Sequence, residues 1–155
     1  MSNNFSITSA IKAGIIATAA MTMFTFMAPL MGFEMNIPAM LSGTMGAPLI
    51  LGWLAHFIIG TILAVGYAAI YLPSTKPIAG IKSGAIFSII PWLMAQIIVM
   101  PMMTIMNGGT FGAGFFSGSM IIAGASLMGH LLYGAVLGLI YKPVPSSAYL
   151  LHTNS

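Results

Sequence analysis

The placement of a handful of charges constrains this chain more than any other feature. Its only Lys, Arg, Asp or Glu residues are Lys12, Glu34, Lys76, Lys82 and Lys142. From Ala13 to Phe33 there is no charge, from Met35 to Thr75 there is none, and the longest uncharged run extends from Ser83 to Tyr141. Soluble domains carry about 25% charged residues, whereas here the share is 3% against 59% hydrophobic. A surface of that kind cannot face water, so the chain is membrane-embedded. Inside a bilayer each segment must satisfy its own backbone polar groups, which favours helices.

A spanning helix takes about 20 apolar residues. The first run therefore holds one helix. The second holds one helix behind a segment of small and polar residues, Asn36–Gly46, read as a short surface helix broken by Pro38. The third run holds two helices, separated at the glycine-rich stretch from Asn107 to Gly114. The expected spans are 10–31, 48–71, 81–103 and 116–141, in a single all-α polytopic domain with an exposed or disordered tail over 143–155. All the lysines then fall on one side. The positive-inside rule puts both termini and the loop Leu72–Gly80 in the cytoplasm.

The two halves of the chain resemble each other. Ile11-Lys12-Ala13-Gly14 matches Ile81-Lys82-Ser83-Gly84, Met35-Asn36 matches Met106-Asn107, Ser42-Gly43-Thr44-Met45 matches Ser117-Gly118-Ser119-Met120, and His56 matches His130. Ordered matches of this kind indicate a duplicated helix pair, covering roughly 11–71 and 81–141. An even number of helices per unit makes the repeat parallel, about an axis along the membrane normal. The repeat also argues against reading the first span as a cleaved signal peptide, because the third span copies it.

The histidines carry the main functional lead. Gly52, His56, Gly60, Ala64 and Ala68 share one helix face, and Ser126, His130, Gly134 and Gly138 share another. Small residues at that spacing let helices approach closely in lipid, so the second and fourth spans are expected to meet across these stripes. In one reading each imidazole hydrogen-bonds across the helix interface to a Ser or Thr hydroxyl or a backbone carbonyl, the candidate side chains being Thr18, Thr22, Thr25, Ser88 and Gln96. In a sharper one, His56 and His130 are the axial ligands of a b-type haem. Against haem stand the absence of arginine for the propionates and the width of a porphyrin compared with close-packed helices. A proton relay would need more than the single acid, and zinc more ligands than two histidines.

The chain has fifteen methionines. Met31, Met35, Met40, Met45, Met100, Met102, Met103, Met106 and Met120 cluster at the end away from the lysines, where soft thioethers would suit Cu(I). Methionine also simply fills irregular apolar cores. Tyr67, Tyr71 and Tyr141 at one end, and Phe33, Phe111, Phe115 and Phe116 at the other, form aromatic belts. Pro91 is expected to kink the third span, and Pro29 and Pro101 to terminate helices.

There is no cysteine, no nucleophile–base pair, no paired carboxylate and no phosphate loop, so an enzyme is not expected. On Gly52-Trp53-Leu-Ala-His56-Phe-Ile-Ile-Gly60 and Gly129-His130-Leu-Leu-Tyr133-Gly134 the chain resembles small four-helix prokaryotic membrane-protein families of unknown function. That resemblance implies topology, in the inner (plasma) membrane of a prokaryotic cell, and no mechanism. The expected function is non-catalytic: an accessory or structural subunit or scaffold, surrounded by lipid and by partner subunits or further copies of itself, with no nucleic acid. The alternatives are the haem electron-transfer protein and a small transporter or copper handler.

Overall fold

The computed structural model describes residues 5–76 and 78–144, so the tail beyond Val144, with His152, lies outside the described residues. The fold is all-helical. Helix α1 spans Ile7–Leu30, α2 is Ile37–Met45, α3 spans Leu49–Thr75 and α4 spans Ile81–Met106. A single turn, α5, covers Phe111–Gly114, and α6 is Met120–Ile140. Helices α1, α3, α4 and α6 are long and apolar enough to cross a membrane.

Local chemistry explains where the bounds depart from expectation. Helix α1 starts at Ile7 because the Ser6 hydroxyl accepts from the Ser9 N–H. Its regular part ends at Thr25, and Pro29 then sits in a 3-10 turn, Ala28–Met31. Pro38 starts α2 and does not break it: it occupies the first turn, where a missing N–H costs nothing, behind an Asn36 cap.

Both α3 and α4 contain a π-turn, Tyr67–Tyr71 and Ala95–Val99. Each π-turn ends two residues before a proline, Pro73 and Pro101. A proline lacks the N–H and crowds the carbonyl four residues back, and widening the preceding turn accommodates both defects. The helices therefore run on to Thr75 and Met106, past the expected ends at 71 and 103, and Pro101 terminates nothing. Helix α4 also continues through Pro91. Helix α6 starts later than expected because Phe116 (φ 50°) and Ser117 (φ 57°) are left-handed and cannot belong to it.

The packing order is α3–α1–α6–α4, with α2 laid on α3. Between α1 and α3, Gly14 meets Ala64 and Thr61, and Gly60 meets Thr18. Between α4 and α6, Gly84 and Gly134 each face the other's carbonyl, and Gly138 faces that of Gly80. This is small-residue packing of the kind lipid requires. It also corrects the expectation that α3 and α6 meet across the histidine stripes: the stripe glycines serve each helix's own sequence neighbour. Helices α3 and α6 are joined through Tyr133, whose hydroxyl donates to the Gly60 carbonyl.

The lysine-bearing ends are drawn together by a core that includes Tyr67, Leu72, Phe87, Leu137 and Tyr141. Tyr67 and Ser83 hydroxyls meet at 2.6 Å, the Ser6 N–H donates to the Tyr141 hydroxyl at 3.3 Å, and the Lys142 N–H donates to the Ser9 hydroxyl at 2.8 Å. At the opposite end Asn107 Nδ2 donates to Thr44 Oγ1 at 3.1 Å, tying the loop after α4 to α2. The perimeter is apolar: Ile50, Ile62, Ile70 and Leu139 are 61–71% exposed, facing where lipid would lie.

Candidate functional site: a cavity between the spans

Helices α1 and α6 pack along one side of the bundle. On the other side, the marked contact between α3 and α4 is at the lysine end, where Tyr67 and Tyr71 lie against Phe87. Toward the opposite end α3 and α4 part. The space left is a cavity of about 600 Å³ lined by all the spanning helices and by the Glu34–Leu41 segment. Its size falls in the usual range of small-molecule sites, about 300–1,000 Å³.

The wall is mostly apolar, with six methionines: Met21, Met35, Met40, Met94, Met100 and Met103. The expected methionine cluster is thus divided. Met35, Met40, Met100 and Met103 line the cavity, whereas Met45, Met102, Met106 and Met120 are exposed on the outside.

Polar groups come from every spanning helix and the segments beside them: α1 supplies Thr18, the segment leading into α2 supplies Glu34 and Asn36, and the turn before α6 supplies Ser117. Helix α3 supplies His56, helix α4 supplies Gln96, and helix α6 supplies Ser126, His130 and Tyr133. The structure therefore brings both repeated histidines to one cavity, although their helices do not close-pack. Their hydrogen bonds define their tautomers. Thr22 Oγ1 lies 2.7 Å from the Thr18 carbonyl, which can only accept, so the hydroxyl hydrogen is spent there. The contact of 2.9 Å between Thr22 Oγ1 and His56 Nε2 must then be donated by the imidazole. His130 Nδ1 lies 2.8 Å from the Ser126 carbonyl and donates to it for the same reason.

Each neutral imidazole is left with one lone-pair nitrogen, Nδ1 on His56 and Nε2 on His130. Neither has a hydrogen-bond partner among the described residues. Every enclosed side-chain nitrogen or oxygen there does have one, so neither nitrogen is sealed off by protein, and both residues line the cavity.

Thr22 was among the partners expected for the histidines. Gln96 is used differently: it accepts from the Ser117 hydroxyl at 2.7 Å and donates to Ser126 Oγ at 3.3 Å. This Ser117–Gln96–Ser126 chain and the Tyr133 bond to Gly60 were missed in the sequence. A lone glutamine in an apolar span was the available signal for the first. The tyrosine three residues after His130 was the signal for the second.

The residues present do not fit a bis-histidine haem. His56 Nε2 is committed to Thr22, leaving only Nδ1, the nitrogen beside its own Cβ, where a porphyrin would collide with α3. No lysine lines the cavity to meet the propionates. Among the described residues no three His, Cys, Asp or Glu side chains are grouped to hold a metal ion.

Apolar perimeter, small-residue interfaces and internal cavity define a helical integral membrane protein with space for a guest between its spans. The chain belongs to a family of unknown function, DUF6789, whose model matches residues 5–150. No curated protein matches it, and no solved structure does.

Proposed function

We propose that this is a non-catalytic membrane protein that holds an uncharged, largely apolar molecule between its spans. The observation that carries the proposal is the cavity of about 600 Å³, apolar on most of its wall, with His56 and His130 on its lining, each keeping one ring nitrogen without a partner among the described residues. Pockets of that composition bind by burying apolar surface and use a few placed polar groups for orientation. The gap between α3 and α4 gives such a molecule a route in from the bilayer. In this reading the matched halves of the sequence are a parallel repeat whose symmetry is broken, with α1–α6 closed and α3–α4 open. The positive-inside rule sets the lysine end in the cytoplasm.

The test is saturable binding of an environment-sensitive fluorophore with an alkyl tail to the protein in lipid nanodiscs. The expected result is one site per chain, weakened at least about tenfold by Ala39→Trp, which puts bulk into the cavity wall. Unsaturable partitioning, identical in wild type and variant, would contradict the reading.

A second reading, an accessory subunit of a larger complex, is favoured by the short connections: Lys76–Gly80 is the whole link between α3 and α4. Among the described residues little lies outside the bundle, so in this reading the protein acts through its membrane faces. Mild solubilisation should then recover a stoichiometric partner, and a lone monomer would count against it.

A further inference from the structure

We infer that the molecule held in this cavity is a hydroxyl-bearing aromatic lipophile, of the phenol or hydroquinone class, recognised through its O–H hydrogens. This rests on reading the cavity as a binding site. Four observations narrow the chemistry.

The first is charge. No lysine reaches the cavity, and its one charged residue, Glu34, lies exposed on the segment leading into α2. A phosphate headgroup would find no counter-charge there. The second is hydrogen-bond direction. Thr22 and the Ser126 carbonyl consume the N–H of each histidine, so both neutral imidazoles can only accept from a guest. A guest offering carbonyl or ether oxygens alone would leave both lone pairs unmatched.

The third observation is the state of the hydroxyls. Tyr133 gives its hydrogen to Gly60, Thr18 to Gly14, and Ser117 to Gln96. Ser126 accepts from Gln96, and its own hydrogen has no acceptor among the described residues. The site next to His130 thus pairs one acceptor, the imidazole, with one donor, the Ser126 hydroxyl. A hydroxyl group matches both, since it donates and accepts at one atom. The fourth is the lining itself. Methionine thioethers pack favourably against aromatic ring edges, and six of them face this space.

The experiment compares three matched compounds with the same decyl tail as competitors of the fluorophore in nanodiscs, under argon. They are a 1,4-hydroquinone, its oxidised quinone, and its dimethyl ether. The hydroquinone alone can donate, and it is expected to compete at about tenfold lower concentration than the other two, the order expected for hydrogen bonds to otherwise unpaired acceptors. His56→Met and His130→Met keep an apolar side chain of similar bulk but offer no nitrogen, and each should narrow the preference, read as the ratio of competing concentrations against that variant's own fluorophore affinity. Equal competition by all three compounds, with the fluorophore still binding, would overturn the hydroxyl assignment and leave the cavity reading standing. Failure of the fluorophore to bind in a saturable way would remove the cavity reading and this one together. A hydroquinone preference that survives both methionine substitutions would also overturn the assignment.

Discussion

Thr22 shows how much one residue settles here. Its hydroxyl donates along its own helix to Thr18 and accepts across the interface from His56, so it determines which imidazole nitrogen remains free. Thr22→Val should leave a buried N–H without an acceptor and cost about 1 kcal/mol, in the range measured for intramembrane hydrogen bonds. Thr22→Ser should restore most of it. Unfolding titrations in mixed detergent micelles would read both. That His56 would take a partner from a short set including the threonines of α1 was legible, because an imidazole inside a bundle needs one. Which threonine was not, because that depends on the rotation of α1 against α3. Gln96 was named only as one possible partner for the histidines, and it bonds instead to Ser117 and Ser126. Ser117 reaches it from a left-handed turn that no helical periodicity announces.

Among the helices, the glycines separate interfaces from open faces. A Cβ on Gly84 would run into the Gly134 carbonyl, whereas one on Gly66 would meet nothing within 4 Å. Gly84→Ala should therefore destabilise by about 1–3 kcal/mol, the ordinary cost of overpacking. Gly66→Ala should be neutral or stabilising by up to about 1 kcal/mol through helix propensity. Equal effects in a thermal unfolding assay would contradict the assigned α4–α6 interface.

The spacing of small residues marked these faces in the sequence without naming the partner helix, since Gly60 and Gly134 suit any close neighbour. The helix ends were misjudged for a definite reason. Pro101 reads as a terminator, and Pro73 lies just past the other expected end, but a π-turn ahead of each lets the helix continue. The Thr44–Asn107 tie is testable in the same frame. The chain has no cysteine, so Thr44→Cys with Asn107→Cys should crosslink with a short bis-maleimide, whereas Thr44→Cys with Ile78→Cys, at opposite ends, should not.

At the scale of the molecule, charge placement made the spans legible, and the described residues hold four helices long and apolar enough to cross a membrane. The cavity was not legible. It arises because α1 and α6 close on each other while α3 and α4 meet mainly at the lysine end, a difference between two interfaces that the matched sequence halves do not advertise. Orientation is a separate prediction. Ile78, 93% exposed in the lysine-end loop, and Phe111, 49% exposed beyond α4, each replaced by cysteine, should differ in intact cells. An impermeant maleimide should label Phe111→Cys and spare Ile78→Cys if the lysines are cytoplasmic, and the reverse pattern would invert the topology.

The cavity itself is tested most directly by native mass spectrometry of the protein taken from its own membrane in polymer nanodiscs, beside the Ala39→Trp variant. The expected spectrum shows one organic molecule retained one-to-one by the wild type and lost from the variant. Wild type and variant carrying the same unselective spread of lipids would mean that the space between these spans holds no particular guest.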